Sequence, residues 1–86
     1  MEFDNEIFDL AKRMVERRRD NPEPDEVADK EQLYQLGSKL NQAGGLGEMA
    51  RAFQRVGDRA EPDSSLAMDI EGVIDFCWAG IGQWGH

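Results

Sequence analysis

The chain has 86 residues, with 10 Lys and Arg against 18 Asp and Glu for a net charge of −8, and 40% of it is hydrophobic. That composition excludes a disordered tail or a fibre. A chain this short is expected to form a single domain, 1–86, which buries roughly 60–65% of the surface its unfolded form exposes.

No apolar run approaches the ~20 residues that span a bilayer, so no membrane partner is expected. Met1 is followed by Glu2, Phe3 and Asp4, where a secretory signal needs basic and then apolar residues, and a cytoplasmic setting is expected. The acidic balance makes nucleic acid an unlikely partner, because phosphate binding rests on cationic groups displacing counterions. The single cysteine, Cys77, sits among apolar residues and is expected to be an inert, buried thiol.

Phe3, Ile7, Leu10, Ala11, Met14 and Val15 recur at three- and four-residue steps, with charged residues between them, which predicts an amphipathic helix over roughly 4–19. Asp4 or Asn5 is the expected cap. Arg17, Arg18 and Arg19 match the negative end of the helix dipole.

Residues 20–29 form an acidic loop in which Pro22 and Pro24 forbid helix. Asp29 and Gln32 read as a capping box for a second helix, roughly 30–43, with Leu33, Leu36, Leu40 and Ala43 as its stripe. Gly44-Gly45 reads as a stop, and Leu46, Met49, Ala50, Phe53, Val56 and Ala60 predict a third helix over roughly 46–60, paired with the second as an antiparallel hairpin. A bent continuous helix is the alternative.

A turn at Glu61-Pro62-Asp63-Ser64-Ser65, capped by Asp63 or Ser64, leads into a fourth helix, roughly 64–79, whose buried side is Leu66, Ile70, Val73, Ile74, Cys77 and Ile81. Gly72 inside it suggests a place where another helix comes close. Gly80, Gly82 and Gly85 end it in a glycine-rich tail. No segment alternates with period two, so the expected fold is all-α: a compact bundle of about four short amphipathic helices.

The chemistry-bearing motifs are few. A Cys77–His86 nucleophilic pair requires the chain end to fold over the thiol. One cysteine and one histidine cannot make a structural zinc site, and Asp20, Glu23, Asp25, Glu26 and Asp29 lack the order of a calcium loop. Gly44-Gly45-Leu46-Gly47 lacks the lysine and hydroxyl of a P-loop. The third helix mixes Glu48 and Asp58 with its arginines, unlike a DNA-reading helix. No cofactor, metal or catalytic residue is assigned.

Two groups of residues remain as partner-binding candidates. Lys12, Arg13, Arg17, Arg18 and Arg19 place half of the cations on one helix end, where they either neutralise the acidic loop or form a patch for RNA or a phosphate ligand. Trp78, Ile81 and Trp84 stand three apart in the tail, which either closes the core or offers aromatic anchors to a partner. The leading expectation is a non-enzymatic module that binds another protein, or a second copy as a homodimer, through that tail. An RNA or phosphate accessory role is the runner-up, and an enzyme using Asp69 and Asp75 comes last.

Overall fold

The computed structural model describes residues 3–21, 25–61 and 63–84. Pro22, Glu23, Pro24, Pro62, Gly85 and His86, to which the sequence assigns turn, tail or nucleophile-pair roles, lie outside the described residues. Three helices make up the fold: α1 (Asp4–Asp20), α2 (Val27–Ala60) and α3 (Ser64–Trp78). Among the described residues there is no strand, and no helix is long and apolar enough to cross a membrane.

The first and last helices form where the apolar period places them. Ile7, Leu10, Ala11, Met14 and Val15 of α1 are buried, as are Ala67, Ile70, Val73, Ile74, Cys77 and Trp78 of α3. Asp63 caps α3 by accepting the Leu66 N–H at 3.0 Å. The cap expected on α1 is absent: Phe3 holds that position, because Asp4 pairs with Arg55 at 2.7 Å and Asn5 accepts from Arg59.

The middle of the chain differs from the expected hairpin of two helices. Residues 27–60 form one helical element interrupted only at Gly45, whose φ of 69° and ψ of −156° are non-helical. An unbroken helix of this length would run about 51 Å, more than the 35 Å longest extent of the molecule, so the chain turns at that glycine. The turn also settles the facing of the core. At 100° per residue the stripe Leu33, Leu36, Leu40 and the stripe Met49, Ala52, Val56, Ala60 lie roughly 170° apart on a straight helix. The non-helical backbone at Gly45 redirects the second stripe, so that both face the same core, where all seven are buried.

Ala43, Leu46 and Ala50, expected in those stripes, are exposed. The first two flank the break, and Ala50 is off the Met49–Ala52–Val56 line. Nor does α2 begin at a capping box. It starts at Val27, so Asp29 falls within the first turn and is buried, drawn to Arg17 at 3.0 Å. Arg17 Nη1 donates to the Asp25 carbonyl at 2.9 Å, and the Asp29 oxygen is held by charge without an aligned hydrogen bond.

Candidate interaction surface

The tail folds back onto the helices. After α3 ends at Trp78, Gly80 takes a φ of 92° and Gly82 a φ of 52°, values that favour glycine. The Ile81 N–H donates to the Trp78 carbonyl at 3.0 Å, and the Trp84 N–H donates to the Ile81 carbonyl at 2.9 Å. Trp78 is fully buried and donates its indole N–H to the Leu33 carbonyl at 2.9 Å. That bond satisfies the polar edge of the ring at the centre of the core. The ring fits there because residue 37 is glycine: a Cβ on Gly37 would lie 2.6 Å from Trp78 Nε1.

Ile81 is buried beside Trp78, and Trp84 is half-buried. The Trp84 ring meets Trp78 edge-on at 5.1 Å between centroids and Phe53 at 5.2 Å, and its indole N–H donates to Asp75 at 3.0 Å. Of the three tail residues, Trp84 keeps surface of its own.

The basic end of α1 is engaged with carboxylates of the same chain. Arg18 makes a two-pronged contact with Glu26, at 2.8 and 3.0 Å, and Arg19 reaches Asp69 of α3 at 3.0 Å. With the Arg17–Asp29 pair, these contacts tie α1 to both other helices. Arg13 and Lys12 are exposed and pair with no described carboxylate.

Two hollows open beside α3. The larger, about 460 Å³, runs between α1 and α3 over Val15 and Val73, with Met68 and Gly72 on one wall and Arg18 and Arg19 on the other. Met68 is 73% exposed, and two turns on Phe76 is 55% exposed on the same face. Between them, a Cβ on Gly72 would meet nothing within 4 Å. The Lys30 ammonium lies 4.4 Å and the Arg18 guanidinium 5.8 Å from the Phe76 ring centre, contacts of the cation–π kind.

The smaller hollow, about 280 Å³, lies on the other flank of α3 between Phe53, Gln54 and Asp58 of α2, Glu71 of α3 and Trp84. Nothing in the period of the sequence singles out Met68 or Phe76, whereas Phe53 belongs to the stripe expected over 46–60 and is only partly buried. Phe53 and Trp84 are 31 residues apart by sequence number, and only the fold brings them together.

Cys77 is buried, and that burial pushes its thiol above the ordinary range, against smaller opposing effects of Lys30 and Arg18. Among the described residues no three of His, Cys, Asp and Glu converge on a metal-sized site. Comparison with known proteins gives no match: no family model fits the chain, and no curated protein or solved structure matches it.

Proposed function

We propose that this chain is a non-enzymatic interaction module that receives an amphipathic helix of a partner protein in the groove between α1 and α3. The observation that carries the reading is the open apolar saddle on α3, where exposed Met68 and Phe76 flank Gly72. In a chain of 86 residues with few large apolar side chains to bury, two such residues turned outward on one face mark a contact surface. Lys30, which pairs with no described carboxylate, borders that face beside Phe76 and suits a helix with a carboxylate beside its apolar edge. The half-exposed Trp84 supplies a second, separate point of attachment.

The test is affinity capture with the wild-type chain and with Met68→Asp and Phe76→Asp, followed by reconstitution with the purified partner. Loss of one direct binder with both variants, and its retention with Arg13→Gln, supports the reading. A binder indifferent to both aspartates overturns it. Sedimentation over a concentration range identifies the partner as a second copy if self-association disappears with Met68→Asp. Binding that collapses with salt, and with glutamine at Arg17, Arg18 and Arg19, supports a phosphate ligand instead.

A further inference from the structure

The smaller hollow has an aromatic side and an acidic side. Its aromatic side is Phe53 and Trp84, with ring centres 5.2 Å apart and planes inclined by 55°. Its polar side is the carboxylates of Asp58 and Glu71, neither of which pairs with a cation among the described residues. The other carboxylate nearby, Asp75, fixes the Trp84 ring by accepting its indole N–H.

Glu71 has a seat of its own. A Cβ on Gly57 would come within 2.8 Å of Glu71 Oε1, so the absence of a side chain there leaves the carboxylate room against the α2 backbone. Aromatic faces attract cations through the ring quadrupole, and unpaired carboxylates attract them by charge. An apolar stem ending in an ammonium satisfies both walls, whereas an anion meets repulsion and a purely apolar group leaves the carboxylates unanswered. A volume of about 280 Å³ admits the lysine stem and its ammonium.

We propose that the hollow formed by Phe53, Trp84, Asp58 and Glu71 is a binding site for a lysine side chain of a basic protein segment. The net charge of −8 draws such a segment toward the chain and sets its approach. Only the source of the ammonium, a protein, rests on the function proposed above; the recognition chemistry stands without it.

The test is titration of the full chain with a tryptophan-free acetyl-Gly-Lys-Gly-amide peptide, followed by the two indole N–H resonances. A saturable shift of Trp84, with Trp78 still because it is sealed against Leu33, is the expected result. Glu71→Gln with Asp58→Asn weakens binding by about tenfold, Gly57→Ala weakens it by unseating Glu71, and the norleucine peptide gives no shift. Equal response to norleucine, or indifference to the paired amide variant, overturns the proposal. Saturation by spermidine without response to the peptide overturns the assignment to a protein. Met68→Asp leaves the lysine shift intact, so failure of the α1–α3 groove and failure of this site are read separately.

Discussion

Trp78 and Gly37 depend on each other, and the pair shows how a residue without a side chain is fixed by one with the largest. A Cβ on Gly37 would meet Trp78 at 2.6 and 2.7 Å and Ile81 at 2.9 Å. Because the indole is buried and bonded to Leu33, it has no free direction in which to yield. Gly37→Ala gains up to about 1 kcal/mol of helix propensity but costs roughly 1–3 kcal/mol of overpacking and strains the indole bond. The expected outcome is net loss, read as a thermal midpoint lowered by about 4–8 °C for each kcal/mol. Gly72→Ala is the control in the opposite direction, since an added Cβ there meets nothing and stability rises by about 0.5–1 kcal/mol. A second residue-scale outcome concerns Cys77. With its thiol pushed up by burial, folding holds that proton more tightly than the unfolded chain does. Its stabilising contribution is complete below the ordinary thiol range and is lost as pH rises through the folded value. Alkylation of Cys77 should therefore be slow in the native protein even at pH 9 and become fast in denaturant; rapid native labelling contradicts the burial.

At the scale of elements the informative case is α2. Its φ of 69° and ψ of −156° at Gly45 fall in a region that side chains essentially do not enter, so Gly45→Ala costs about 1–3 kcal/mol although no atom crowds the position. Gly47→Ala, two residues on and unhindered, should be neutral or stabilising, and denaturant midpoints of the two variants separate backbone strain from steric crowding. Both ends of the fold are legible in the sequence, because five apolar residues of α1 and the run through α3 keep a strict helical period to one core. The all-α class follows directly from that. The join is harder to read: Gly44-Gly45 carries a true break, but whether one residue turns the helix or several end it depends on where the two stripes must point. Asp29 is misread for a similar reason, since a capping pattern is local and the attraction of Arg17 across the turn is not. Of the site, Trp84 stands out by residue type and Phe53 by its place in an apolar stripe, while Met68 and Phe76 carry no local mark, and the meeting of Phe53 with Trp84 is decided by packing between helices.

For the whole molecule, the tail acts as a clasp over the bend in α2. Ile81 lies against Gly37 and Gly82 against Asn41 in the first half of that helix, and Trp84 stacks on Phe53 in the second. A segment touching both sides of the break holds them at their angle, so its removal should loosen more than its own contacts. Burial of Ile81 contributes about 1.5–3 kcal/mol, and the two aromatic contacts of Trp84 add about 0.5–1.5 kcal/mol each. A chain ended at Ala79 is then expected to lose about 3–5 kcal/mol of the 5–15 kcal/mol usual for a domain. The same truncation leaves Trp78 as the sole tryptophan, and acrylamide quenching with excitation selective for tryptophan reports its cover directly. Weak quenching in the Trp84→Phe variant and strong, red-shifted emission in the truncated chain would show the clasp closing the core. Ile81→Ala, expected to cost about 2–5 kcal/mol, provides the same reading without shortening the chain. If midpoint and quenching are unchanged in both, the two halves of α2 hold their angle through Gly45 and the core alone. The lysine hollow, which borrows Trp84 from the clasp, would then vanish in the truncated chain without any loss of stability.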